Sequence, residues 1–405
     1  MNLAIKGGSP VRRKPYHSWP LQDEGVRSQL NELFEQGEWG SSVSSMIDDL
    51  EKKIAWYHDA KFAVGVINTT AAFEAALQAL GVGPGDEVLI PAYAHHALPV
   101  AVISCGGVPI FSDIRQESLD IDPESIDRRV TERTKALIVS HPISSVANMD
   151  AVMVMARRYQ VKVIEDCTEA TGAEFDSRKV GSIGNLGVFS FRENNLLVAG
   201  HGAVVISNNK DLYEICYARV HEGRRPEQKT DQEFIQGKNR AMTSLQAAVL
   251  LPQCAKLENL NILRAVRFAK LSELLQAVPG IKIYERQKLV TRQALEGFAF
   301  RYDAASFNQA PRTHFINALN AEGIPARAGH ALAYENRNFQ LKVDQCPYRC
   351  RFYPLPYYLA KCPVAKEASE TAVVLDHTVL LDDEQGLTSI PDAINKLSQN
   401  KHELC

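Results

Sequence analysis

The chain has 405 residues and 45% apolar content, enough to bury a substantial core and to divide into two or three structural units. A formal charge of −3 offers no extended basic surface, so nucleic acid is not an expected partner. No apolar run approaches a membrane span and MNLAIKGG lacks the apolar core of a signal peptide, so a soluble cytoplasmic protein is expected.

Residues 1–20 carry Pro10, Pro15, Pro20 and two glycines, which disfavours regular structure and predicts an extended arm lying on another surface. From there the pattern alternates. FAVGVI (Phe62–Ile67) is a short apolar run, and TTAAFEAALQALG is helical in period. DEVLIPA, VPIFSDI, KALIVSH and VKVIEDC are further apolar strands, separated by helical stretches such as MDAVMVMARRYQ. Such alternation predicts a parallel sheet covered on both faces. GVFSF and AVVIS follow with no full helix between them, so the sheet is expected to be mixed. After about residue 255 a helix, LENLNILRAVRFAKLSELLQAV, leads into β-rich and loop-rich sequence. The expected division is an arm over 1–20, a large domain over 21–255 and a small C-terminal domain over 256–405, without internal repeats or low-complexity segments.

The eight cysteines (Cys105, Cys167, Cys216, Cys254, Cys346, Cys350, Cys362 and Cys405) are scattered, as reduced and mostly buried thiols would be. Cys346, Cys350 and Cys362 cluster without a CxxC spacing or nearby histidine pairs, and no metal site is expected. His95 and His96 are adjacent and point in different directions, which also disfavours a metal. Asp166 ends a buried strand, where a carboxylate is costly unless paired. Asn68, Thr69 and Thr70 open the helix after the first strand, and the free N–H groups and dipole of a helix N-terminus suit a phosphate. HEGRRPEQK (His221–Lys229) offers cations to an anionic substrate or a nucleotide diphosphate, or is a solvated loop.

Between Val161 and Ala203 the chain reads VKVIEDCTEATGAEFDSRKVGSIGNLGVFSFRENNLLVAGHGA. Around it stand LAIKGGSPVRRKPYHSWP (Leu3–Pro20), GEWGSSVSSM near Trp39, LGVGPGDEVLIPAYA (Leu80–Ala94), NMDAV (Asn148–Val152), GKNRAMTSLQAAVL (Gly237–Leu250), FRYDAASF (Phe300–Phe307) and AEGIPARAGH (Ala321–His330). In this order, over essentially the whole chain, these blocks resemble the DegT/StrS family of pyridoxal-phosphate (PLP) dependent sugar and cyclitol aminotransferases. The ends look most like the branch of aminohydroxybenzoate synthases and scyllo-inosose aminotransferases. The resemblance implies the α/β architecture of PLP fold type I, like aspartate aminotransferase. It has a mostly parallel sheet of the seven-stranded type covered by helices, and a smaller α+β C-terminal domain.

The same resemblance implies roles for residues. Asp166 would pair with the pyridine nitrogen and keep it protonated, so that the ring acts as an electron sink; its alternative is a strand-end Asp that caps the next segment. Ser190 matches a phosphate-contacting serine, and Asn239 matches an asparagine that reaches the phosphate from the neighbouring subunit of a homodimer, so the site would lie at the subunit interface. His95 stands where an aromatic stacks on the ring. Thr69 replaces a glycine in the phosphate loop, and Glu169 replaces a glutamine near the ring oxygen, adding a negative charge beside Asp166 or a general base. Cys167 is read as a buried, inert thiol.

The family lysine stands four residues beyond the last Phe of FSF, and here that position is Asn195. An amide can neither form the Schiff base nor shuttle the proton of transamination. RENNLLVAGHGA contains no lysine that a register slip could supply, while Lys179 and Lys210 flank other strands. Asn185, His201, Ala203 and Ala241 also depart from the family pattern. The expected function is therefore an aminotransferase-like natural-product enzyme that holds PLP or its amine form (PMP) noncovalently and acts on a sugar, cyclitol or related ring, with elimination or dehydration chemistry. Glu169 or His201 would serve as base. The alternatives are a cofactor-independent fold performing acyl or amide transfer, a noncatalytic subunit partnering an active paralogue, and an engineered lysine replacement.

Overall fold

Branched and aromatic residues in short runs form the strands of a computed structural model that describes residues 2–37, 39–40, 45–226, 233–335 and 361–404. The N-terminal strands are β1 (Phe62–Val66), β2 (Glu87–Pro91), β3 (Val108–Ser112), β4 (Thr134–Ser140), β5 (Lys162–Asp166), β6 (Glu174–Phe175), β7 (Arg178–Lys179), β8 (Leu186–Ser190) and β9 (Ala203–Ser207). Seven of them form one sheet in the order β1-β9-β8-β5-β4-β2-β3. Only β9 is antiparallel to its neighbours, so the sheet is mixed as expected. Alternate side chains enter two cores: Ile90, Ile138 and Ile164 face one helical layer, and Leu89, Leu137 and Val163 face the other. Helix Thr69–Ala79 starts where the Asn68 side chain accepts from the Ala71 N–H, and helix Met149–Tyr159 where Asn148 accepts from Ala151.

The C-terminal strands are β10 (Ile281–Ile283), β11 (Val290–Arg292), β12 (Gly297–Tyr302), β13 (Ala326–Ala328) and β14 (Ala372–Asp376). Four form an antiparallel sheet, β10-β12-β14-β13, over a third core containing Phe298, Phe300, Phe315 and Leu397. β11 instead pairs with β6, so the later sequence also builds onto the earlier part. The helix expected from Leu257 begins earlier, at Ser244, and runs unbroken to Gln276. A capping box between Thr243 and Gln246 starts it, and Pro252 is accommodated inside it. The division expected at residue 255 falls within this helix.

The arm is pinned rather than loose. Leu3 is fully buried in the third core, its N–H donates to Glu403 Oε2 at 2.8 Å, and buried Arg12 pairs with Asp382. Its regular structure is a single 3-10 turn at Ala4–Lys6. No helix among the described residues is long and apolar enough to cross a membrane.

Phe298 is a fully buried ring of this third core, 4.7 Å from Phe268 on the long helix, so it ties the small sheet to that helix. Phe298→Ala is expected to cost about 3–5 kcal/mol, read as a lowered denaturation midpoint.

Candidate active site

Loops leaving the carboxyl ends of β1, β2, β5 and β8 converge on one edge of the large sheet, the place where open α/β sheets hold ligands. Asp166 ends β5 and is 4% exposed. One oxygen accepts from Ser140 Oγ at 2.8 Å and the other from Thr168 Oγ1 at 2.7 Å and its N–H at 3.2 Å. Burial pushes this carboxyl above its ordinary value, and repulsion from Glu169 adds to it.

Asn195 is buried three strands further along the sequence but adjacent in space. Its Nδ2 donates to the Thr168 carbonyl at 2.7 Å and its Oδ1 accepts from the Arg192 N–H at 2.9 Å. The Trp19 indole N–H, from the N-terminal arm, donates to the Asn195 carbonyl at 2.8 Å. The amide thus latches the loop after β8 to the loop after β5. Beside it lies Glu296, 4% exposed, close to Thr171 and Asn195 but without a well-formed hydrogen bond to either carboxyl oxygen. Burial pushes Glu296 up to about 8.

The start of helix Thr69–Ala79 forms one wall of a cleft of about 900 Å³, with His95, Arg192, His201, Arg240 and Gln246 around it. Thr69 Oγ1 and Ser190 Oγ share a hydrogen bond of 2.8 Å. Thr70 lines the same cleft, while the Asn68 side chain is occupied as the helix cap. Arg240 pairs with Glu74, yet its Nη1 and the Nε of Arg192 are buried without a partner among the described residues. Two orphaned guanidinium donors at a helix N-terminus suit an anionic group. Sequence singles out neither arginine: Arg192 lies in a loop with no local pattern, and Arg240 lies in the GKNRAM block, where the resemblance points to Asn239 instead.

His95 accepts from the Ala97 N–H at Nδ1, 3.1 Å away, and its Nε2 lies 2.7 Å from Arg192 Nη1. Burial, with the Arg192 charge, pulls His95 down to about 3, so the ring is neutral. The His96 ring lies 4.1 Å from it, tilted by 34°. Glu169 does not stand alone against Asp166: its Oε2 meets His330 Nε2 at 2.8 Å. Burial alone would raise this carboxyl, but His330, Arg327 and His95 hold it at about 2. His330 was missed because it lies 161 residues from Glu169, beyond any sequence spacing rule.

The remaining candidates are more peripheral. His201 is exposed at the cleft mouth, where its carbonyl accepts from Gln246 Nε2 at 2.9 Å. Asn239 is exposed, bridges His221 through its backbone and is not among the residues lining this cleft. Asn185 has a structural task, capping β5 through Val163, and Cys167 is a buried thiol pushed well above its ordinary value by desolvation. His141, Glu165 and Cys167 are close enough to hold a metal, but Glu165 is already filled by His141 and the N–H groups of Gly181, Ile183 and Gly184. Cys362 is buried against the Phe111 carbonyl. Cys346, Cys350 and Glu227–Lys229 of the basic run lie outside the described residues.

Residues 21–393 match the model of the DegT/DnrJ/EryC1/StrS aminotransferase family. An L-glutamine:2-deoxy-scyllo-inosose aminotransferase of Streptomyces fradiae is 30% identical, with 99% of each chain covered. The crystal structure of 3-amino-5-hydroxybenzoic acid synthase superposes with a TM-score of 0.87 at 28% identity, over 96% of this chain and 99% of that one. NtdA of Bacillus subtilis, solved with PMP, shares the fold at a TM-score of 0.79 and 20% identity, over 96% of this chain and 86% of that one.

Asn195→Ala is expected to leave the Thr168 carbonyl and the Arg192 N–H unpaired, costing about 1–3 kcal/mol for each and lowering the melting temperature. Glu296 also sets a pH dependence. Between about 4.5 and about 8 the unfolded chain ionises Glu296 while the folded chain keeps it protonated, so its contribution, full below this window, is lost as pH rises through it. Glu296→Gln is expected to lose that slope, so the wild-type melting temperature minus that of the variant falls as pH rises from about 4.5 to about 8.

Proposed function

Because this chain belongs to the DegT/DnrJ/EryC1/StrS aminotransferase family, we propose that it is a natural-product biosynthesis enzyme whose cleft holds PLP or PMP noncovalently and that it does not transaminate in the ordinary way. The carrying observation is the amide of Asn195, which is committed at both ends to backbone partners at the place where the spacing from FSF implies the family's lysine. An amide so engaged offers no nucleophilic nitrogen. Lys179 does not replace it, being paired with Glu174 at 2.8 Å and set over the Tyr57 ring.

The residues present fit the cofactor. A buried carboxyl at Asp166, held by hydroxyls and lacking a cation, suits a protonated ring nitrogen, and the orphaned Arg240 and Arg192 donors beside Ser190 and the helix start suit its phosphate. His95, neutral and at the cleft wall, suits stacking. Bound there, PLP or PMP supplies an electron sink. Asp166 holds the ring-nitrogen proton, Ser190 and Arg240 bind and orient the phosphate, and Glu169 with His330 forms the proton-handling pair nearest Asp166. Exposed Asn239 supports a homodimer in which it serves the partner's phosphate. The family and the relatives named above support a cyclitol, sugar or related ring as substrate; elimination or dehydration is proposed because the amide of Asn195 offers no amine for transamination.

The purified protein is expected to shift the PLP absorbance band on binding, and borohydride is expected to fix no cofactor to the chain. Asn195→Lys is expected to make the bound cofactor reducible onto residue 195. Wild-type protein that neither binds saturating PLP nor gains thermal stability from it overturns the cofactor reading, and favours cofactor-independent acyl or amide transfer. Cofactor fixed covalently to the wild-type chain overturns the noncovalent reading.

A further inference from the structure

Glu169 and His330 reach each other from opposite sheets. Glu169 follows β5 of the large sheet, and His330 follows β13 of the small one, with both side chains 15% exposed. His330 is held firmly. Its N–H donates to Tyr93 Oη at 3.1 Å, its ring meets Tyr93 and His95 edge-on at 5.4 and 6.4 Å, and the Ala333 N–H donates to the Ala92 carbonyl at 2.9 Å. Gly329 makes this approach possible, because a Cβ there would lie 2.0 Å from Tyr93 Oη.

We propose that His330, whose ring meets the cleft-lining His95 edge-on, is a proton-transfer base beside the cleft, with Glu169 as its positioning residue, and that the pair acts on the acidic C–H of a polyhydroxylated cyclic ketone. This rests on the preceding reading in that the cleft takes a ring substrate. Glu169, held at about 2, is a poor proton acceptor near neutral pH, so the role expected for it from sequence passes to its partner. With Nε2–H donated to Glu169, the free lone pair of His330 is on Nδ1, which has no hydrogen-bond partner among the described residues. When Nδ1 gains a proton, the adjacent carboxylate balances the imidazolium charge, as in other carboxylate and histidine pairs.

The step balances without a further reagent. An N–H bond forms at Nδ1 as the C–H bond next to the ring carbonyl breaks, and the electron pair stays on the substrate as an enolate. Expulsion of the β-hydroxyl, which takes the proton back from Nδ1, releases water and leaves an unsaturated ketone. His201 at the exposed mouth has no comparable carboxylate partner among the described residues.

The test uses the full chain, PLP and 2-deoxy-scyllo-inosose in D2O, with loss of the α-proton signals followed by NMR. Wild-type protein is expected to exchange them above the solvent rate, His330→Gln to lose about 10²–10⁴-fold, and Glu169→Asp to keep more rate than Glu169→Gln. A second readout is the 13C carboxyl signal of Glu169, which faces His330, Arg327, His95, Asp166, Glu296 and Tyr93. In His330→Gln it is expected to titrate above about 2, because burial is then less opposed. His330→Gln that exchanges as fast as wild type, or wild-type protein that binds PLP and exchanges nothing, overturns the base assignment while leaving the cofactor reading intact. Exchange that depends on His330 in a protein taking up no PLP does the reverse.

Discussion

A carboxyl buried at the end of a parallel strand has to be neutralised or matched by a cation, and Asp166 imposes that requirement on everything around it. Its partners are the hydroxyls of Ser140 and Thr168, which satisfy its oxygens but bring no positive charge. Desolvation of an unmatched carboxylate is costly, so the site favours either a proton on Asp166 or a cationic ligand above it. The loops then follow. Thr168 supplies both a hydroxyl to Asp166 and a carbonyl to Asn195, so the acid and the amide latch share one residue.

The latch explains how the loop after β8 keeps its shape with asparagine at 195. A short side chain that donates to one loop and accepts from its own turn is a structural clasp, and the Trp19 indole closes it from the arm. Positive charge near the cleft comes instead from Arg192 and Arg240, permanent cations that bind anions but do not exchange protons at neutral pH. Proton handling is thereby separated from charge. The His330 and Glu169 pair joins the two sheets, and the β2 end to which it is fastened also carries His95.

Much of this was legible in the chain. Continuous apolar strands declared a sheet buried on both faces, and GVFSF and AVVIS declared the reversed strand, because no helix fits between them. Asn68 and Asn148 were readable as helix starts from their position before periodic apolar runs. The long helix starts earlier than the sequence suggests, at Ser244, with Ala247, Ala248, Leu250 and Leu257 buried on either side of Pro252. Thr69 and Ser190 share a hydrogen bond and Asp166 ends the strand paired with that of Ser190, whereas Arg192 and Glu296 carry no local signature.

The sequence by itself determined the family and the alternation of strands and helices, because each is written in local composition or in short ordered motifs. Only the tertiary structure decided which carboxylate has a partner. Glu169 and His330 are 161 residues apart, and their contact follows from the return of the chain from the small sheet to Tyr93. Glu169 reads as a base in isolation and stands as a held counter-charge once the imidazole is in place, because the free energy of a buried ion is set by what faces it across space.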